Sequence, residues 1–212
     1  MKWTIPNQLT ISRIFLAAVF FVLVGMYDPN CSSSTWLMGS GFVIYIIASI
    51  TDILDGHLAR KWNQVSAFGR MVDPIVDKIM VVGAFIMLAG PDFTTAAAGV
   101  TLPVPDWITG GMTTAVQPWM VVVIIAREFL ISGVRAYSES LGKAFPATSS
   151  GKIKMIVQCS AIGTVIFYLA WPQSIPHLIW LVSALVWLSV IITVLSGVLY
   201  IFNARKLFID SE

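Results

Sequence analysis

The sequence predicts an all-α membrane protein of six transmembrane helices with a short N-terminal interfacial segment, and three observations lead there. First, 57% of the 212 residues are hydrophobic and the mean hydropathy is +0.84, whereas a soluble domain is roughly 45–50% apolar even with glycine counted. Second, six apolar runs, roughly 9–26, 36–57, 70–90, 118–140, 151–171 and 178–202, come close to the about 20 residues that a helix needs to cross a bilayer. Third, the connections 27–35, 91–117 and 172–177 hold no Lys or Arg, while Lys2, Arg13, Arg60, Lys61, Arg70, Lys143, Lys152, Lys154, Arg205 and Lys206 fall on the opposite side. By the positive-inside rule both termini face the cytoplasm. One compact bundle uses all six runs, so residues 1–212 are expected to form a single domain.

Residues 1–8, MKWTIPNQ, mix Trp3 and Ile5 with polar neighbours. They suit an interfacial segment, with Pro6 setting the break before the first span. That span carries Arg13 about one turn in, where it either snorkels to the headgroups or points into the bundle. With one lysine before it and no small-residue cleavage pattern after it, the run reads as a retained helix and not a signal peptide. Cys31 in an outer loop and Cys159 in the fifth run lie at different levels, which argues against a disulfide.

The second run is apolar until Ser49, Thr51, Asp52 and Asp55, and the third opens with Gly69, Asp73, Pro74 and Asp77. Asp52 and Asp55 are i,i+3 and Asp73 and Asp77 are i,i+4, so on helices each pair projects from one face. A carboxylate at mid-membrane costs about 2.5–3.5 kcal/mol, so four near two segment ends require positive charge beside them. Hard divalent cations such as Mg²⁺ take oxygen ligands, and the chain has neither a His nor a thiol cluster for softer metals. The bland reading is four aspartates that cap helices and wet a loop. Arg60 and Lys61 beside these carboxylates either pair with them or hold phosphate oxygens. Carboxylates with metals and a basic residue are the means of phosphoryl chemistry, because charge builds on phosphate oxygens in the transition state.

Pro74 is tolerable in a first helical turn, and the Gly-, Thr- and Pro-rich loop 91–117 reads as an outer connection without chemistry. In the fourth run Arg127, Glu128, Ser132 and Arg135 follow an apolar half, and charges this far inside a segment are functional candidates. An Arg127–Glu128 structural pair is the competing reading, weakened because adjacent residues point about 100° apart. With Lys152 and Lys154 at the start of the fifth run, Arg127 and Arg135 make a candidate phosphate pocket beside the carboxylates. The sixth run packs and anchors through Trp180, Trp187 and a basic end.

The pattern Asp52-x-x-Asp55-Gly56-x-x-Ala59-Arg60, eight residues, Gly69-x-x-x-Asp73-x-x-x-Asp77 resembles the signature of the CDP-alcohol phosphotransferases without departure. IPNQLTISR, LARKWNQ, AREFLISGVR and GKIKM extend the resemblance over most of the chain, toward the bacterial branch that takes glycerol 3-phosphate as acceptor. The resemblance implies a homodimeric enzyme of the bacterial plasma (inner) membrane, active on its cytoplasmic side, with no nucleic-acid partner. It would move a phosphatidyl group from CDP-diacylglycerol to sn-glycerol 3-phosphate and release CMP. It further implies that Asp52, Asp55 and Asp73 hold Mg²⁺ or Mn²⁺ on the diphosphate. Asp77 would stand near a second metal and act as the base. Gly56 and Ala59 would leave room for cytidine, Arg60 would meet the nucleotide phosphates, and Gly69 would allow close helix approach. The cations Arg127, Arg135, Lys152 and Lys154 would then hold the acceptor phosphate. Competing expectations keep the chemistry with another acceptor, namely inositol phosphate, serine or phosphatidylglycerol, or replace it with ion transport.

Overall fold

The computed structural model describes the backbone of residues 5–61, 67–140, 149–171 and 177–209, and most side chains between 11 and 51, 75 and 140, 151 and 171, and 177 and 202. Among these residues the chain is helical, with one isolated β-bridge. Six long helices dominate: α1 (Ile5–Gly25), α2 (Ser34–Lys61), α3 (Ala67–Leu88), α6 (Pro118–Ser140), α7 (Ser149–Ala170) and α8 (Leu178–Ile209). Between α3 and α6 lie a 3₁₀ turn (Pro91–Phe93) and two single-turn helices, α4 (Thr95–Ala98) and α5 (Asp106–Thr109).

The long helices neighbour one another in a ring. α1 packs on α2 and α3, α2 on α7, α7 on α8, α8 on α6, and α6 on α3, while α3 also touches α7. Each contributes one row to a shared core, in which Ala17, Phe20 and Val24 face Met38, Tyr45, Ala48, Ala84, Phe85 and Leu88. Gly83 admits the Phe21 ring, which a Cβ built there would meet at 2.5 Å. Three helices, within Ser34–Thr51, Gly151–Ala170 and Leu178–Phe202, are long and apolar enough to cross a membrane. α1 and α3 contribute shorter apolar stretches, Ile11–Gly25 and Lys78–Leu88, and α6 is interrupted by Arg127, Glu128 and Arg135.

Four local expectations change. Residues 5–8, read as part of a separate interfacial segment, belong to α1, with Pro6 in its first turn, where a missing N–H has no intrahelical partner to lose. α2 continues past residue 57, where its apolar run was expected to end, as far as Lys61. Pro74 is inside α3 and not in its first turn, so the helix forgoes one backbone hydrogen bond there.

The fourth change is the 91–117 connection, which is folded down onto the bundle. Thr94 and Met112 form the bridge, Thr95 N–H donates to the Gly111 carbonyl at 2.8 Å, and Thr113 N–H donates to that of Phe93 at 2.8 Å. Phe93 stacks on Tyr27 with centroids 4.6 Å apart, and the Trp187 indole donates to the Ile108 carbonyl at 2.9 Å. Gly110 makes the turn possible, having φ +63° and a space that a Cβ would share with the Gln117 side chain at 2.6 Å. Burial against these partners stacks the tyrosine and pushes the Tyr27 hydroxyl pKa up.

At the centre of this cap the Thr114 hydroxyl donates to the Leu88 carbonyl at 2.8 Å and accepts from Val116 N–H at 3.2 Å, all of it buried. Thr114→Val keeps the shape and leaves both backbone groups short of a partner, which costs about 1–3 kcal/mol. Chemical unfolding in detergent should show that loss, and unchanged stability would mean the cap is not coupled to α3.

Candidate functional site

The helices alternate in direction, so the C-terminal ends of α2, α6 and α8 and the N-terminal ends of α1, α3 and α7 share one end of the ring, opposite the cap. Asp52, Asp55, Gly56, Ala59 and Arg60 belong to the α2 end, and Gly69, Asp73 and Asp77 to the α3 end. Their side chains lie outside the described residues, but the helices fix their register. The buried row of α2 is Met38, Gly41, Tyr45 and Ala48, a spacing of three, four and three that positions 52 and 55 continue. On α3, positions 73 and 77 precede Met80, Ala84 and Leu88 at the spacing of one helical face. Positions 52, 55, 73 and 77 are thus in helical register with the buried rows of α2 and α3.

The second half of the site is described directly. Glu128, on α6, accepts from Arg127 at 2.9 Å and also from Lys154 of α7. Arg127 reaches on to α8, donating to the Ser196 hydroxyl at 3.1 Å. Gly197 makes room for this, since a Cβ there would stand 3.2 Å from the Arg127 Cγ. One carboxylate thus joins three helices, with all three charged side chains about nine-tenths buried. Below it the buried Gln158 of α7 donates to Thr193 of α8 at 3.0 Å. Lys78, next in sequence to Asp77, donates to the Ser132 hydroxyl of α6, which itself donates to the Glu128 carbonyl at 2.7 Å. This chain of contacts links the aspartate end of α3 to the charged half of α6.

Of the four cations expected to share a pocket, Arg127 and Lys154 meet on Glu128, while Arg135 and Lys152 are exposed at the same end of the ring. The weakened reading of Arg127 and Glu128 as a pair is corrected: they do pair. Their 100° separation is spanned because a long guanidinium side chain can wrap back along its own helix. Arg13, for which snorkelling and an inward direction were both open, is buried. Ser196, Gly197 and Gln158 went unnoticed in the sequence. A signal existed in Ser189, Thr193 and Ser196, spaced as one polar row on α8, and in Gln158 one turn beyond Lys154.

Among the described residues there is no cluster of three or more His, Cys, Asp or Glu. The donor set at positions 52, 55, 73 and 77 is carboxylate only, and that chemistry fits a hard divalent cation. Neither cysteine is in a disulfide. Cys31 is exposed at the opposite end, where a 2.9 Å contact with the Ser33 hydroxyl draws its thiol pKa down.

A family model described as CDP-alcohol phosphatidyltransferase matches residues 3–195. A protein from Bacillus subtilis named CDP-diacylglycerol--glycerol-3-phosphate 3-phosphatidyltransferase is 31% identical, the match covering 92% of each chain. Proteins of the same name from Haemophilus influenzae and Shigella flexneri are 30% and 32% identical, covering 100% and 99% of this chain and 98% and 100% of their own.

Glu128→Ala strands two cations that are nearly out of water. The expected cost is about 3–5 kcal/mol, read by unfolding in detergent, with Arg135→Ala at the exposed surface staying within about 0.5 kcal/mol of the parent. Equal effects would dismiss Glu128 as the junction of α6 and α7.

Proposed function

The chain belongs to the CDP-alcohol phosphatidyltransferase family, and on that premise we propose that it transfers the phosphatidyl group of CDP-diacylglycerol to sn-glycerol 3-phosphate, releasing CMP. The observation that supports this is that the complete aspartate signature falls in sequence on the inner ends of α2 and α3, both packed on α1, with α3 linked through Lys78 and Ser132 to a buried cationic half. Near full-length similarity to proteins named for that reaction supports the choice of donor and acceptor.

In this reading the acceptor hydroxyl oxygen attacks the phosphorus that carries the diacylglycerol. A new P–O bond forms, the bond from that phosphorus to the CMP phosphate oxygen breaks, and the hydroxyl proton passes to the Asp77 carboxylate. Asp77 is suited to this because a carboxylate can accept the hydroxyl proton as a general base. The family is dependent on divalent metal in general, and Mg²⁺ or Mn²⁺ held by Asp52, Asp55, Asp73 and Asp77 would supply positive charge to the diphosphate and improve CMP as leaving group. Gly56 and Ala59 leave the α2 backbone open to the nucleotide, Arg60 meets its phosphates, and Gly69 lets α3 come close. Two cations on one carboxylate leave the Arg127–Glu128–Lys154 group with an excess positive charge. With Arg135 and Lys152 it forms the pocket we assign to the acceptor phosphate, orienting the hydroxyl for attack.

All six long helices span the bilayer in this proposal, in the inner membrane of a bacterium, with the aspartate end in the cytoplasm as the lysine and arginine asymmetry requires. Cys31 then faces outward. A membrane-impermeant maleimide should label intact cells through Cys31 at neutral pH, where its lowered pKa favours the thiolate; labelling only after lysis would invert the topology.

Purified protein with CDP-diacylglycerol and Mg²⁺ should release CMP only when glycerol 3-phosphate is added, and a chelator should stop it. Release driven instead by inositol phosphate, serine or phosphatidylglycerol would keep the aspartate chemistry and remove the acceptor assignment. No release with any acceptor would return transport to consideration. Asp77→Asn should lower turnover by at least about a hundredfold, and near-normal turnover would take Asp77 out of the base role.

A further inference from the structure

We propose that Ser196, on α8, is a positioning residue of the acceptor pocket: with Glu128 it holds the Arg127 guanidinium so that the Nε–H is kept for an oxygen of the incoming phosphate. The role rests on the reading of Arg127 as part of that pocket.

A guanidinium carries five N–H donors in one plane and keeps its charge in a protein. At Arg127, whose side chain is about nine-tenths buried, Nη1 donates to the Glu128 carboxylate at 2.9 Å and Nη2 to the Ser196 hydroxyl at 3.1 Å. Nε is buried too, and it has no hydrogen-bond partner among the described residues. Leaving a charged donor unsatisfied out of water is costly, and native structures keep such a group where a water or an ion completes it. With Lys154 also on Glu128, two cations face one carboxylate. The net positive charge selects an anion.

Ser196 decides which donor of the guanidinium is left over. Its own proton goes to the Thr193 carbonyl at 3.0 Å, so the hydroxyl oxygen meets Arg127 as an acceptor. The next residue, Gly197, gives passage to the arginine stem, because a Cβ there would stand 3.2 Å from Cγ, inside ordinary contact distance. Head and stem of one α6 side chain are thus seated by two consecutive residues of α8.

The same seat is tied to Lys154. α8 packs on both α6 and α7. Thr193, one turn before Ser196, accepts from the Gln158 amide at 3.0 Å, and Gln158 stands one turn beyond Lys154 on α7. The contacts close a loop through three helices, from Arg127 to Glu128 and Lys154, along α7 to Gln158, across to Thr193, and along α8 to Ser196 and back to Arg127. Its members on α7 and α8 are buried. A closed loop fixes how the two cations stand relative to each other, and a ligand with a rigid array of oxygens gains from that preset geometry. Opening the loop at Ser196 keeps both charges and lets the guanidinium turn.

The first test uses the full-length protein in detergent with CDP-diacylglycerol and Mg²⁺ while glycerol 3-phosphate is varied. Ser196→Ala should raise the KM for glycerol 3-phosphate about tenfold, as the loss of one hydrogen bond to a charged group implies, with kcat and the KM for CDP-diacylglycerol within about twofold of the parent. Ser196→Thr, which restores a hydroxyl, should return the KM to the parent value. Ser183→Ala removes another buried hydroxyl of α8, nearer the cap, and should leave it unchanged. An unchanged KM in Ser196→Ala, or a fall in kcat that Ser196→Thr does not recover, would overturn the proposal. Should Ser196→Ala not fold, Gly197→Ala crowds the arginine stem from the same seat and is read in the same way.

Inorganic phosphate gives a readout without turnover. At millimolar concentration and constant ionic strength it should raise the Tm of the substrate-free parent, and raise that of Ser196→Ala by less. Equal rises would overturn the proposal, as would no rise in the parent, the result expected if a buried water alone meets the Nε–H. Phosphate binding that depends on Ser196 in a protein that releases no CMP would sink the proposed reaction and leave the positioning role. CMP release with an unchanged KM in Ser196→Ala would do the reverse.

Discussion

The junction at Glu128 constrains the rest of the inner half. In a medium that solvates ions poorly, a carboxylate that accepts from Arg127 and Lys154 cannot give up either without stranding a charge. Arg127 adds Ser196 to the same group, so the relative positions of α6, α7 and α8 are set by one set of charge-assisted contacts more directional than the apolar packing around them. α3 is brought in from the other side by Lys78 and Ser132. The helices of the aspartate pairs are then held indirectly, α3 through this polar chain and α2 through its packing on α1 and α7.

The two ends of the ring are built by different means. At the cap end, residues 91–117 close over the helix ends with backbone bridges, the Tyr27–Phe93 stack and the Thr114 contact to Leu88. Trp36, Trp107, Trp119, Trp171 and Trp180 are exposed there, the belt expected where helices leave hydrocarbon for water. At the inner end apolar packing gives way to charge. In the proposed reaction the capped end packs while the charged end takes a lipid-linked nucleotide and a water-soluble acceptor.

The long helices were legible because each apolar run has a length that only a helix spanning, or nearly spanning, a membrane explains, and their observed limits stay within a few residues of those runs over most of their length. The exceptions have a common origin. Proline was taken as a boundary, yet α1 begins at Ile5 just before Pro6 and α3 passes Pro74, while α2 runs on to Lys61 beyond its apolar run, since neighbouring helices outweigh local preference. The cap was unreadable because its order comes from contacts with Tyr27, Leu88 and Trp187, remote in sequence. At the site, residue types and spacing reveal the aspartates and the cations, but not which cations are already neutralised. Lys152 and Lys154, two residues apart and so on opposite sides of α7, were grouped together; only Lys154 is buried.

Charge balance connects these pieces to the proposed reaction. Asp52, Asp55, Asp73, Asp77 and Glu128 carry five negative charges, and Arg13, Lys78, Arg127 and Lys154 carry four positive ones. Counted with Arg60, Arg135, Lys152 and the other lysines and arginines of the same side, the inner half is net positive on its own residues. That excess favours an anionic diphosphate, and divalent cations on the aspartates would ease the approach of phosphate oxygens to carboxylates. In the proposed reaction metal and nucleotide binding would then be thermodynamically coupled, each raising the affinity for the other by the same factor. Arg127 and Lys154 already share one buried carboxylate, whereas Arg135 and Lys152 stand exposed at the same end, where the anionic acceptor would arrive in the proposed reaction.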